Sequence, residues 1–364
     1  MSDSIDWVGL DVHADKVVVA AFRSGRGDVV EQWEVVADQR GLGRLAKRLS
    51  GYGGGVRCVY EAGPCGYELA RYLQGRGICC EVTAPGLIPS KPGDRVKTDQ
   101  RDAVRLARLY RSGELTMVAI PSERQEALRD LLRSREDAKE DLLRRRHRLS
   151  KFLLRHGYRY REGKAWTLRH WAWLRKIRFE QAHSQVVFEG YIASVTEQSD
   201  RVRGFDPLLE EAARDPQYAV KVRQLSALRG VATTTALTIL SEVGDLRRYT
   251  TAPAFMSATG LVPSEHSSGS TRRQGAITKT GNSHLRRVLV EAAWHYRHRP
   301  CDGKTIRARR LGQPDAALAI ARRADQRLAH KYRRLTSRGK RSTEAITAVA
   351  RELAGFVWAI GHIA

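Results

Sequence analysis

The sequence predicts a mixed α/β domain at the N-terminus, a long helical region after it and an all-α C-terminal part. Three observations carry that prediction. Residues 5–120 alternate short β-rich apolar runs with helical text. From Ser122 the β-rich runs cease and leucines recur at helical spacing. At 364 residues the chain is long enough for two or three domains, each with its own core.

Taken in order, WVGLDVH, KVVVAAF and VVEQWEVV read as three successive strands, with turns at Ala14-Asp15 and at Ser24-Gly25-Arg26-Gly27. GLGRLAKRLSGY follows as a short helix, and VRCVYEA as a strand with apolar residues on both faces. GYELARYLQGRG is a second helix ended by glycine, ICCEVTAP a further strand, and VKTDQRDAVRLA the opening of another helix. These elements make up a domain over 1–120. Residues 122–180 carry 18 Lys/Arg against 9 Asp/Glu. Their leucine spacing predicts one long amphipathic helix, either half of a coiled coil or one arm of a hairpin packed on its own domain. A less regular helical stretch covers roughly 180–213, so 121–219 is read as a helical, coiled-coil region. Within it, AWTLRHWAWLRKIRF is rich in tryptophan, for which packing between helices is the first expectation.

A third section, 220–310, begins with LSALRGVATTTALTILSEVGD, two short helices around a turn at Gly230. This is the layout of a helix–hairpin–helix element, whose turn amides hold a DNA phosphate, or of a plain helical hairpin; Ala232 stands where such elements often carry a second glycine. Residues 311–364 are read as a basic helical tail. They overlap a stretch, 304–341, with 13 Lys/Arg and 2 Asp, a phosphate-backbone surface or a solvated one.

A net charge of +24 and a pI near 10.3 favour a polyanionic partner, and double-stranded DNA is the leading one. The five cysteines show no CxxC spacing, which argues for reduced thiols and against structural zinc. No basic-then-apolar leader and no membrane-length apolar run is present, so a cytoplasmic, nucleoid-associated protein with no membrane partner is expected.

Four acids concentrate the chemistry. Asp11 closes the first strand, Glu61 closes VRCVYE, and Asp99 and Asp102 open the helix after VKT. Singly, each has an innocent role: a strand end, a surface position, a charge in the first turn of a helix. Together they could bring four carboxylates from three segments to one place, with Asp99 and Asp102 three apart on one helix face. Oxygen-rich ligands suit Mg²⁺, or Mn²⁺, and two such ions about 3.5–4 Å apart serve phosphodiester chemistry. Lys97 and Arg101 stand ready for phosphate oxygens.

A second dense cluster lies between Leu261 and Leu311, with 11 Lys/Arg against 3 acids. Gly269, Gly275 and Gly281 mark turns at six-residue steps, and a helix begins near Ser283. Ser267, Ser268 and Ser270 sit on the first turn, flanked by Arg272, Arg273 and Lys279, with His266 and His284 nearby. A hydroxyl needs activation to act as a nucleophile. Composition by itself reads as a Ser/Gly-rich phosphate-contact loop.

Both clusters resemble, in the expected order, those of the DEDD-type transposases of the insertion-sequence one-ten family, relatives of the Piv site-specific DNA invertases. The quoted segments are GLDVH, VYEAG and KTDQRDA, then LRGVATTTALTILSEVGD, FMSATGLVP and SSGSTRRQGAITKTGNSHLRR. The resemblance implies an α/β ribonuclease-H-like (RuvC-like) N-terminal domain, a helical linker and an all-α C-terminal transposase domain. It implies that Asp11, Glu61, Asp99 and Asp102 hold Mg²⁺, and that the serine before glycine, Ser268, attacks a DNA phosphate and becomes linked to it; Ser267 is the neighbouring alternative. Arg272, Arg273, Lys279, Arg286 and Arg287 fall in the matching block as phosphate contacts. Assembly as a homodimer or homotetramer and use of a non-coding bridge RNA also come from the resemblance. A RuvC-like junction resolvase using metal-activated water, and a non-catalytic nucleic-acid-binding protein, are the competing readings.

Overall fold

The first three β-rich apolar runs give three strands, β1 (Ile5–Val12), β2 (Lys16–Phe22) and β3 (Val30–Val36), paired antiparallel. β4 (Gly55–Glu61) and β5 (Cys79–Thr83) continue the sheet parallel to β1, and β6 (Met117–Val118) closes it antiparallel. The strand order is β3-β2-β1-β4-β5-β6, a mixed sheet of the ribonuclease-H-like kind. The computed structural model describes residues 5–23, 30–52, 55–89, 98–265, 268 and 273–363.

The two faces of this sheet are covered differently. Val8 and Leu10, with Val17, Val19 and Ala21, pack against helices α1 (Gln39–Ser50) and α2 (Glu68–Gln74) through Leu45, Leu49, Leu69 and Leu73. The alternate residues Val18, Ala20 and Val59 meet Ala103, Leu106 and Tyr110 of α3 (Asp99–Arg111). Gly9 lies under α3. A Cβ there would sit 2.1 Å from the Ala103 carbonyl oxygen and 2.5 Å from the Ala107 nitrogen. Glycine is what lets the helix backbone rest directly on the strand.

Residues 1–123 form one compact unit with residues 257–283. The latter hold a small antiparallel ribbon, β7 (Pro263–Glu265) with β8 (Gln274–Ile277), whose register shifts between its two pairs. Gly275, expected to mark a turn, lies instead inside β8. A Cβ on it would come within 2.5 Å of the Ser264 hydroxyl, which donates to the Ala276 carbonyl at 3.1 Å. Gly281 does turn the chain, with φ +80°.

The second unit, 124–256 with 284–364, is helical. α4 (Glu123–Arg155) is 33 residues long, about 50 Å at the usual rise. It runs antiparallel to α6 (Ala182–Arg214), with the short α5 (Leu168–Lys176) beside their joined end. Arg135–Asp206 at 3.0 Å, Gln198 Nε2 donating to Ala138 O at 2.9 Å, and Arg145 Nη1 donating to Ser194 O at 3.0 Å fix the register. The long amphipathic helix is therefore one arm of a hairpin within the chain. Trp166, Trp171 and Trp173 pack on its apolar seam with Phe152, Leu174 and Phe188.

α7 (Pro216–Ser226), α8 (Thr233–Val243), α9 (Ala252–Ala258), α10 (Ser283–Ala293), α11 (Lys304–Arg310), α12 (Asp315–Ser337) and α13 (Ser342–Gly361) complete the unit. Residues 315–361 are helical as expected: Ile346, Val349, Leu353, Val357 and Ile360 of α13 are wholly buried, and α12 carries six of the cations. Buried charges are paired, as polar groups in a core must be. Glu242 accepts two 2.9 Å hydrogen bonds from Arg133, and Asp325 meets Arg310 at 2.6 Å and Arg229 at 3.2 Å. No described helix is long and apolar enough to cross a membrane.

Glu136 of α4 ties down α10. His284 Nδ1 lies 2.8 Å from its carboxylate, and Arg287 pairs with it on the next turn. Burial would raise the Glu136 carboxyl, but the hydrogen bonds from His284 and Arg287 outweigh it and hold the group below its ordinary value. A depressed carboxylate stabilises the fold above its unfolded pKa and loses that contribution as pH falls through its folded one. Glu136→Gln is therefore expected to cost about 1–3 kcal/mol at neutral pH. The gap to wild type should close as acid protonates the carboxyl, and urea unfolding across the pH range measures it.

Candidate active site

The parallel register of β1 and β4 pairs Leu10 with Tyr60. Asp11 and Glu61 are the next residues, so two carboxylates leave the C-terminal ends of adjacent strands, where open α/β sheets bind their ligands. Thr98 caps α3, its hydroxyl accepting from the Arg101 amide at 3.4 Å. Asp99 and Asp102 thus occupy the first turn without being the cap, and the helix N-terminus favours their negative charge. Because Gly9 seats α3 on β1, these two acids come to rest beside Asp11.

One cleft of about 550 Å³ results, lined by Asp11, Glu61, Asp99 and Asp102 together with His13, Pro85, Ile88, Arg105 and Leu106. All four acids named by the sequence reach it. Two basic side chains that the sequence reading passed over stand beside these acids. His13 Nε2 lies 3.2 Å from Asp11 Oδ2 and 3.6 Å from Asp99 Oδ1, and Lys16 Nζ lies 3.0 Å from Asp99 Oδ2. The signal for both was strand parity. Val18 is the cross-strand partner of Asp11, so Lys16, two residues before it, shares the Asp11 face, as does His13 two residues after Asp11.

The electrostatics follow from that crowding. Burial raises the Asp11 carboxyl above its ordinary value, and repulsion from Asp99 and Asp102 adds to it, while His13 pulls the other way. The hydrogen bond from Lys16 lowers the Asp99 carboxyl, and Lys16 is raised in return. Clustered carboxylates in a cleft repel one another unless a cation joins them. The ligand atoms of Asp11, His13 and Asp99 lie within 4.8 Å of one another, close enough for one divalent ion, with Glu61 and Asp102 on the same walls. The donor set fits a hard divalent ion, and the imidazole widens it toward Mn²⁺. His13→Ala is expected to raise the Mn²⁺ concentration needed for half-saturation on the order of tenfold, and that for Mg²⁺ by less. A thermal-shift titration with both ions measures the difference.

The remaining sequence-derived positions are spread more widely. Ser268 is exposed between β7 and β8 and is not among the residues lining the cleft. Arg273 is exposed on the same ribbon, and Lys279, also exposed, takes a left-handed conformation with φ +55°. Lys97, Ser267, His266, Gly269, Ser270 and Arg272 lie outside the described residues. Arg101 is exposed at the start of α3, and Arg286 is half-buried on α10. Arg287, expected to meet phosphate, pairs in this structure with Glu136 and with Glu291 at 2.8 Å. Gly230 has φ +80°, and a Cβ on it would lie 2.3 Å from the Ala292 carbonyl oxygen. Packing against α10 is sufficient reason for glycine there.

The chain is similar in sequence to known proteins. A family model for DEDD transposases of the IS110 group, described as "Transposase", matches residues 8–157, which include all four acids. A second, described as "Transposase IS116/IS110/IS902 family", matches residues 222–307. A putative transposase, y4qE, of Sinorhizobium fredii (strain NBRC 101917 / NGR234) is 42% identical over 98% of this chain and 88% of its own length. The transposase for insertion sequence element IS1533 of Leptospira borgpetersenii is 35% identical over 92% of this chain and 98% of its own. A probable family 20 transposase of Pseudomonas aeruginosa is 25% identical over 65% of this chain and 70% of its own. With an acid-lined cleft on a ribonuclease-H-like sheet, both family models in order and near full-length relatives, the chain belongs to the IS110 family of insertion-sequence transposases.

Proposed function

We propose that this transposase cuts and rejoins DNA by a two-part chemistry, with the acids of the cleft holding divalent metal and Ser268 forming a transient covalent link to DNA. The observation that carries the reading is the convergence of Asp11, Glu61, Asp99 and Asp102 on one cleft. Mg²⁺ or Mn²⁺ held there would supply Lewis acidity at a phosphodiester. Asp11 and Asp99 bind it, His13 and Lys16 limit their repulsion in its absence, and Arg105 on the cleft wall offers charge to a phosphate oxygen.

Ser268 attacks the scissile phosphorus through its hydroxyl oxygen, and the P–O bond to the 3′ oxygen breaks. The serine proton is lost and a 3′-hydroxyl is released, while the 5′-phosphate stays esterified to the protein. Rejoining reverses these bonds on a new 3′-hydroxyl, so no external energy source is needed. Arg273 and Lys279, exposed on and beside the ribbon that carries Ser268, neutralise the phosphate as it is attacked. Ser268 stands outside the cleft lining, which suits a serine supplied to the acids of another copy within a homodimer or homotetramer. A net charge of +24, suited to phosphate backbones, fits guidance by a bridge RNA that pairs with donor and target.

Reconstitution tests the reading: protein, element-end DNA, divalent ion and the transcript flanking the gene, each omitted in turn. Recombinant product is expected only when all four are present. Product with free 5′-phosphate ends, undiminished in Ser268→Ala, would instead identify a metal-dependent hydrolase of the junction-resolving kind.

A further inference from the structure

The α4–α6 hairpin carries a charge that neither the cleft nor the serine ribbon uses. Residues 144–178, which cover the end of α4, the connection and α5, hold thirteen Lys/Arg and one acid, Glu162. Arg148, Lys151, Arg155, Arg159, Arg161, Lys164, Arg169, Arg175 and Lys176 are all exposed. Repulsion among so many cations costs folding free energy, and a solvated face needs no such excess of one sign.

A groove of about 430 Å³ runs beside this surface between α5 and α6. Trp171 and Arg175, one turn apart on α5, and Arg178, two residues past its end, line one side, and Leu174 and Phe188 form the floor. Gln185, Glu189 and Thr196 give its α6 side a polar edge. Gln185 is held there, accepting from the Phe179 amide at 3.0 Å and donating to Glu189 at 2.6 Å. Arg178 is held as well, its Nη1 donating to Arg175 O and Ile177 O at 2.8 Å each. Trp171 stands edge-to-face with Trp166, with ring centroids 6.1 Å apart, and Arg146 covers the Trp166 ring at 4.9 Å.

A half-buried tryptophan, an amide and carboxylate edge and a guanidinium rim are groups suited to an unpaired nucleobase with its phosphate. Duplex DNA hides its base faces in the stack, so cations would serve it and the tryptophan would not. We infer that the hairpin end and the α5–α6 groove bind single-stranded DNA, with a base on Trp171 and flanking phosphates on Arg175, Arg178 and the cations of residues 148–164. In a transposase, strands separated at the cut site are the natural source. The inference depends on neither the metal reading nor Ser268, and its test is run in chelator.

The probe is a 5-iodouracil-substituted single strand, irradiated with the full-length protein and digested with trypsin. Cross-linking to the peptide His170–Arg175 is expected. Trp171→Ala should weaken single-strand binding about tenfold, whereas Trp171→Phe stays within about threefold. Arg175→Gln with Arg178→Gln, both on the surface, should reduce the salt dependence, log K against log salt, by about 1.4. Unchanged affinity and slope in these variants, with cross-links mapping elsewhere, would overturn the inference. So would equal losses on duplex DNA, which indicate backbone contact alone, or capture of the peptide by an RNA strand but not by its DNA counterpart.

Discussion

Asp11→Asn is expected to lower DNA cutting on the order of 10²–10³-fold while leaving the fold intact and slightly more resistant to heat. The two effects have opposite signs for one reason. Asp11 is half-buried, its carboxyl is raised by burial and by Asp99 and Asp102, and in the absence of metal its charge is a liability that His13 only partly offsets. The amide removes that repulsion at almost constant shape. It also removes a donor from the site, so divalent ions should stabilise wild type by a larger shift in Tm than they do the variant. A purely structural Asp11 would give the reverse: a lower Tm, with metal response and cutting unchanged. Thermal denaturation with and without Mg²⁺, beside a cleavage assay, separates the two cases.

Gly9→Val is expected to cost about 3 kcal/mol or more and to disable the site in whatever fraction still folds. Its Cβ would stand 2.1 Å from a backbone oxygen of α3, which no rotamer change relieves. The helix must lift from the sheet, and Asp99 and Asp102 would move with it, away from Asp11. Gly9→Ala already introduces that Cβ and should show a smaller form of the same defect. Urea unfolding measures the stability. Mn²⁺ binding to the folded alanine variant measures the site, and metal affinity equal to wild type would show that α3 is not positioned through Gly9.

The parts of this fold set by short-range pattern were legible in the sequence. Short β-rich apolar runs marked β1 to β3, glycine ended α2, and the spacing in KTDQRDA put two acids on one turn of α3. What depends on register was hidden. His13 joins the cleft and Lys16 reaches its Asp99 only because β1 and β2 pair Asp11 with Val18, and Glu61 joins it because β4 lies parallel beside β1. Partner choice was hidden as well. The leucines of α4 announce an apolar stripe without saying whether α6 or another chain covers it, and nothing local in the sequence pairs Arg287 with Glu136. Gly230 and Gly275 looked like turn residues alike; Gly230 is one, with φ +80°, and also meets Ala292, whereas Gly275 lies inside β8 against Ser264.

Denaturing-gel capture of a covalent protein–DNA adduct is the most direct test of the two-part chemistry. Wild type, Ser268→Ala and Asp11→Asn would be incubated side by side with element-end DNA, the flanking transcript and Mg²⁺. An adduct formed by wild type, removed by protease and missing from both variants and from a chelated control, is the expected result. Cleavage to free 5′-phosphate ends with no adduct, undiminished in Ser268→Ala, would contradict it.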